Sequence, residues 1–313
     1  MSKVKSYLSF IKFSHTIFAM PFALIGFFLP LKTEVVYGVE QWNLNKTIRW
    51  DDTVKANSEV EAWRDFGILL SLVILCMVFA RSAAMAFNRY LDRKFDARNP
   101  RTAIREIPSG VISEKNALIF TIISSLLFVV CTFFINRICF YLSPVALAVV
   151  LGYSYTKRFT ALCHLILGLG LSLAPIGAYL AVTGKFDLLP ILFSLAVIFW
   201  VSGFDIIYAL QDEEFDKSQQ LYSIPAWAGK AKSLRISELL HGLSASAVFI
   251  AGRYGDFGWI YWIGVAVFIG MLIYQHSIVK PTDLRKVNLA FMTANGIASV
   301  VFAIFVITDL FIN

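Results

Sequence analysis

Asn88, Asp92 and Asp96 fall at i, i+4 and i+8. On a helix of 3.6 residues per turn that spacing holds them within roughly 80° of arc, as one oxygen-bearing stripe. Asp205, Asp212 and Asp216 are spaced to do the same, because a step of seven is nearly two full turns. The two stripes share a pattern. Asp92-Arg-Lys-Phe95-Asp96 reads against Asp212-Glu-Glu-Phe215-Asp216, 120 residues later, and an Ile-Pro pair follows each, at Ile107-Pro108 and Ile224-Pro225. Paired aspartates are the donors of a hard cation such as Mg²⁺, which commonly joins one or two carboxylates to substrate phosphates. The bland alternative is a pair of solvated helix ends with Arg93 and Lys94 as local partners.

Bases crowd the first stripe. Arg89, Arg93, Lys94, Arg98, Arg101 and Arg105 lie within seventeen residues, and guanidinium forks match phosphate oxygens bidentately. Arg101 and Arg105 are the expected phosphate ligands. In Tyr153-Ser-Tyr155-Thr-Lys157-Arg158 a phenol and an ammonium share a helix face at i and i+4, where they could hold a phosphate or a carboxylate. The same segment also reads as an interfacial aromatic anchor with snorkelling bases. His164, His241 and His276 have no partner at metal-ligand helical spacing, and Cys76, Cys131, Cys139 and Cys163 read as small apolar residues. No credible Ser-His-Asp or Cys-His set is present.

The elements that must carry these residues are membrane helices. Only 16% of the 313 residues are charged, 58% are hydrophobic, and mean hydropathy is +0.69, against about 25% charge in soluble domains. Apolar runs of spanning length predict about nine helices, at 13-31, 66-87, 117-135, 138-154, 162-182, 187-208, 236-252, 257-276 and 288-311. The first lacks a small-residue cleavage site and reads as a retained helix rather than a signal peptide. The fold class expected is therefore an all-α, polytopic membrane bundle forming one domain over 1-313, with an extended polar outside loop at 32-65. With the N-terminus inside, nineteen of the 28 Lys and Arg fall on the cytoplasmic side, which also receives both acidic motifs. The net charge of +7 is thus explained by orientation and an anionic ligand, and nucleic acid is not an expected partner.

Taken together, Asn88-Arg-Tyr-Leu-Asp92-Arg-Lys-Phe-Asp96, then Arg101-Thr102 and Pro108-Ser-Gly110, then Tyr153-x-x-x-Lys157-Arg158, then Asp205-Ile-Ile-Tyr-Ala-Leu-Gln-Asp212-x-x-x-Asp216, resemble the UbiA superfamily of intramembrane prenyltransferases. Ser14 to Gly26 and Tyr153 to Arg158 resemble its 4-hydroxybenzoate polyprenyltransferase branch, which has close relatives in menaquinone synthesis. The resemblance implies a bundle around a central cavity in a bacterial-type inner membrane. In it Asn88, Asp92, Asp96, Asp205, Asp212 and Asp216 would hold Mg²⁺, with Asp92, Asp96, Asp212 and Asp216 as the catalytic carboxylates. Asn88, Arg101, Arg105, Lys157 and Arg158 would bind a polyprenyl diphosphate. Tyr153, Asp205 and His15 would orient an aromatic acid acceptor, 4-hydroxybenzoate first and a hydroxynaphthoate second. An ion-coupled transporter is the rival from another class, but its carboxylates belong near the bilayer midplane rather than at helix ends.

Overall fold

The computed structural model describes residues 3–12, 16, 18–32 and 59–313; the expectations placed on His15 and on most of the 32-65 loop lie outside the described residues. The described chain is helical throughout its regular structure: α1 (Lys3–Phe10), α2 (Met20–Phe28), α3 (Glu59–Asp96), α4 (Glu114–Ile135), α5 (Arg137–Thr156), α6 (Cys163–Thr183), α7 (Leu188–Ala209), α8 (Glu213–Ser218), α9 (Ile224–Tyr254), α10 (Trp259–Ile278) and α11 (Asn295–Ile312). Among the described residues eight helices are long and apolar enough to cross a bilayer, and Met20–Lys32 is a shorter apolar one. The protein is an integral, multi-pass membrane protein of all-α class.

Two helices outrun their apolar cores. α3 has 38 residues, about 57 Å at 1.5 Å per residue, nearly twice the hydrocarbon thickness. Its surplus carries Asn88, Asp92 and Asp96 beyond the apolar run that ends at Phe87. α9 begins at Ile224 rather than at 236, because its first turns are basic and hydropathy alone does not register them. Ser223 caps it by accepting from the Ala226 amide at 3.2 Å, and Pro225 sits in its first turn, where its missing N–H costs nothing. Gly229, at φ 76°, kinks α9 one turn further on, a conformation open to glycine and strained for most other residues.

The core lies where α2, α7, α10 and α11 meet. Phe22, Phe193, Trp200, Phe268 and Phe302 are fully buried there and pack edge-on or tilted, with ring centroids 5.2–6.5 Å apart. The Trp200 indole N–H donates to Asn295 Oδ1 at 2.9 Å, so its one polar atom is satisfied. α2 crosses α6 closely enough that a Cβ on Gly26 would stand 2.0 Å from the Pro175 carbonyl oxygen. Large apolar side chains such as Leu126, Phe134, Tyr141, Phe249, Ile273 and Ile304 point outward, as lipid requires.

Candidate active site

Helix ends and turns bring the site together. α3 supplies Asn88, Asp92 and Asp96, and the irregular segment after it is folded by its own polar groups. The Arg101 amide donates to Asn99 Oδ1 at 3.0 Å and Thr102 Oγ1 donates to the Asp96 carbonyl at 3.1 Å. α5 ends at Thr156 and presents Tyr153, Lys157 and Arg158. α7 supplies Asp205 but stops at Ala209; a 3₁₀ turn over Leu210–Asp212 and then α8 carry Asp212 and Asp216. The spacing of the second acidic set therefore does not run along one continuous helix.

Asn88, Asp92, Asp96, Arg101, Arg105, Tyr153, Lys157, Arg158, Asp205, Asp212 and Asp216 all line one polar cavity of about 500 Å³. Within it the four motif carboxylates are each taken by a base from another segment. Asp92 meets Arg158 at 3.0 Å, Asp96 meets Arg105 at 2.7 Å, and Asp216 meets Lys157 at 2.7 Å. Asp212 accepts from Arg101 Nε at 3.0 Å and from its Nη2 as well, and from Asn99 Nδ2 at 3.1 Å. These pairs cross the molecule: the segment after α3 reaches the second motif, and the α5–α6 turn reaches both. Arg93, one of the local partners of the bland reading, turns away to Glu114 at 2.8 Å.

Burial favours the neutral form of Lys157, yet the charge of Asp216 and its hydrogen bond outweigh that and hold the ammonium above its ordinary pKa. Arg101 is likewise held above its ordinary value, its desolvation being overcome by Asp212 and the Tyr208 phenol. Tyr208 lies 3.0 Å from Arg101 Nη1 and packs at 4.3 Å between centroids on Phe291. With Phe18 and Phe204 these rings form an aromatic wall of the same cavity.

Sequence reasoning missed the partner of Asp205. His164 Nδ1 stands 2.7 Å from Asp205 Oδ2, while its Nε2 accepts from the Ile224 backbone N–H at 3.3 Å. A nitrogen that accepts carries no proton, so Nδ1 carries it and donates to the carboxylate. The same helix start holds the second motif, since Ser223 Oγ donates to Asp216 Oδ2 at 2.8 Å. Forty-one residues separate His164 from Asp205, so no helical spacing links them; a carboxylate on an otherwise apolar helix was the one available signal. His241 and His276 are also brought together, at 2.8 Å, with His241 Nε2 near the Trp200 carbonyl at 3.3 Å; neither lines the polar cavity.

An apolar cavity of about 420 Å³ lies alongside, walled by α3, α4, α5 and α6, and Arg81, Met85, Tyr153, Leu167 and Leu171 line both cavities. The arrangement suits an amphiphile with an anionic head and a long apolar tail. As for Mg²⁺, the donors around the polar cavity are the hard oxygens it prefers, and Asp96 Oδ2 makes no hydrogen bond. Among the described residues no three His, Cys, Asp or Glu already stand close enough together to hold an ion, since the bases occupy the carboxylates. The donor set fits Mg²⁺ in its chemistry.

Known proteins bear on this geometry. Residues 56–297 match the UbiA prenyltransferase family. The chain is 31% identical over 238 residues to the 4-hydroxybenzoate octaprenyltransferase of Francisella tularensis subsp. mediasiatica, covering 76% of this chain and 84% of that one. It is 29% identical over 235 residues to the enzyme of the same name from Nitrosospira multiformis, covering 75% and 81%. Among solved structures, a UbiA homologue from Aeropyrum pernix K1 superposes with a TM-score of 0.73 at 25% identity, over 95% of this chain and 97% of that one. A UbiA homologue from Archaeoglobus fulgidus bound to DMAPP and Mg²⁺ shares the fold, with a TM-score of 0.65 at 19% identity over 98% and 100%. With most of its length matched and its two aspartate motifs facing one cavity, this chain belongs to the UbiA prenyltransferase family.

Proposed function

We propose that the protein transfers a polyprenyl group from its diphosphate to a hydroxylated aromatic carboxylic acid, 4-hydroxybenzoate in the first instance, as a step of quinone biosynthesis. The observation that carries this is the shared wall of the two cavities. A polar chamber bearing two aspartate motifs and four bases shares Arg81, Met85 and Tyr153 as wall residues with an apolar one. The names of the relatives support prenyl transfer to an aromatic ring.

In this reading Asp92, Asp96, Asp212 and Asp216, with Asn88, hold Mg²⁺, and Asp205 belongs with the acceptor. Bound there, Mg²⁺ neutralises negative charge on the diphosphate. Arg101, Arg105, Lys157 and Arg158 turn from their carboxylates toward phosphate oxygens and stabilise the leaving group as the C1–O bond breaks and its electron pair departs with the diphosphate. The electron-rich ring attacks C1 from the side of the aromatic wall, forming the new C–C bond. In this reading Asp205 takes the proton that the ring then loses, and no protein nucleophile is required. The wall of Phe18, Phe204, Tyr208 and Phe291 keeps water from the allylic cation. By the distribution of Lys and Arg, the chamber faces the cytoplasm of an inner-membrane protein.

Membranes containing the protein are expected to transfer a labelled prenyl group to 4-hydroxybenzoate or to a dihydroxynaphthoate, assayed side by side, and to stop when Mg²⁺ is chelated. Full transfer by the Asp92→Ala, Asp212→Ala double variant would refute the mechanism.

A further inference from the structure

Asn295 opens α11 at the end of a wider turn. Leu289–Ala294 wind as a π-helix, in which each N–H reaches back five residues rather than four, and such turns are rare and concentrate at functional sites. The Asn295 side chain is fully buried and makes four hydrogen bonds, all that an amide can make. Its Nδ2 donates to the Ala290 and Phe291 carbonyls, both inside the π-turn and both at 3.1 Å. Its Oδ1 accepts from Trp200 Nε1 at 2.9 Å and from Gln275 Nε2 at 2.8 Å. The orientation is forced, since an indole N–H can only donate and a backbone carbonyl can only accept. Trp200 on α7 and Gln275 on α10 are fully buried as well, and Gln275 Oε1 is the one polar atom of the three side chains without a partner. One amide thus ties the π-turn to two neighbouring helices, and a buried polar cluster so nearly satisfied fixes a single arrangement of the elements it joins.

The turn held in this way carries Phe291. In α-helical winding residues four apart share a face, yet Phe291 lines the polar chamber while Asn295 is turned to Trp200 and Gln275 in the core. The ring of Phe291 lies 5.2 Å from that of Phe18, 5.5 Å from Phe204 and 4.3 Å from Tyr208, so it joins the other three members of the aromatic wall. An allylic cation beside that wall has two fates. The acceptor ring can form the C–C bond, or a water that reaches C1 can bond through its oxygen, lose a proton and leave a prenyl alcohol. A displaced Phe291 opens the second route, and Asn295 itself bonds to none of the chamber's acidic or basic residues.

We propose that Asn295 is a positioning residue whose amide holds the π-turn, so that Phe291 closes the wall against water and the allylic cation is captured by the acceptor; the inference rests on the prenyl-transfer reading above. The test uses purified full-length protein with Mg²⁺, labelled geranyl diphosphate and each of the two acids, and measures prenylated acid, prenyl alcohol and the thermal midpoint. Asn295→Asp keeps an acceptor for Trp200 and Gln275 but removes both donors to the π-turn, and Asn295→Ala removes the whole amide. Both are expected to raise the ratio of alcohol to prenylated acid about three- to tenfold, with the KM for the diphosphate near wild type. Phe193→Leu, a fully buried core variant outside the chamber, should lower the midpoint and leave the ratio as in wild type. Phe291→Leu should raise the ratio, and adding Asn295→Ala to it should raise it little further, because the two act through one ring. An unchanged ratio in the Asn295 variants overturns the proposal, as does an equal rise in Phe193→Leu. Should neither Asn295 variant accumulate, Gln275→Leu, which removes one of the donors that orient the amide, takes their place; a smaller rise is then expected, and an unchanged ratio overturns the proposal. If wild type prenylates neither acid, the acceptor reading falls, and Asn295 is judged on alcohol release alone, which must still rise in its variants.

Discussion

Asp205 receives a proton donor on one side and faces the chamber on the other, and that division matters for a residue assigned to take a proton from a ring. His164 is fixed in one tautomer by the Ile224 amide, so it can only donate to Asp205. It holds the carboxylate in one rotamer, which makes it a positioning residue. His164→Phe is expected to lower kcat about ten- to hundredfold with little change in either KM, the value of one hydrogen bond to a charged group. Because the two residues act as a unit, combining it with Asp205→Asn should cost little more than Asp205→Asn alone. Steady-state kinetics on the two single variants and the double would reject the coupling if the losses multiplied. None of this was visible in the chain, where His164 is one histidine on an apolar run.

At the scale of elements, the aspartate stripes were legible because they obey local periodicity, and α3 carries the first as the spacing predicts. The second was only half legible. Asp205 is on α7, while the 3₁₀ turn at Leu210–Asp212 redirects the chain before Asp216. Hydropathy located most of the apolar helices to within a few residues, but it began the first at 13 where α2 starts at Met20, and it cut α3 and α9 short, since their polar ends continue the helix without continuing the apolar run. It also has no means to report how closely two helices approach. α2 and α6 touch backbone to backbone at Gly26 and Pro175, which places α2 against the wall of both cavities. Gly26→Ala is expected to cost about 1–3 kcal/mol through overpacking and to lower the thermal midpoint in detergent. Gly242→Ala, where a Cβ meets nothing within 4 Å, should be neutral or slightly stabilising. Equal midpoints for the two variants would show that the α2–α6 approach is not tight in the membrane fold.

At the scale of the whole molecule, two chambers share Arg81, Met85, Tyr153, Leu167 and Leu171 as wall residues. If the tail of a polyprenyl diphosphate occupies the apolar one, filling that space should discriminate by tail length. Gly177 lines it with open space at its Cβ, so the first carbon of Gly177→Phe meets no neighbour and the ring adds bulk to the cavity wall. Transfer from a long polyprenyl diphosphate should fall roughly tenfold or more, the effect of a clash of 1–3 kcal/mol, while geranyl diphosphate is used as before. Comparable losses for both lengths, read from product yields in parallel assays, would place the tail elsewhere. By itself the sequence determined that the chain is a membrane bundle, and it named the carboxylates and bases that gather at one chamber. Apolar length and a 3.6-residue repeat are local properties that survive in a string of letters. Only the tertiary structure decided which base meets which aspartate and that His164 serves Asp205. Those pairings join residues up to 111 positions apart. They are set by where caps, turns and the Gly229 kink aim each helix, and no repeat in the sequence records those directions.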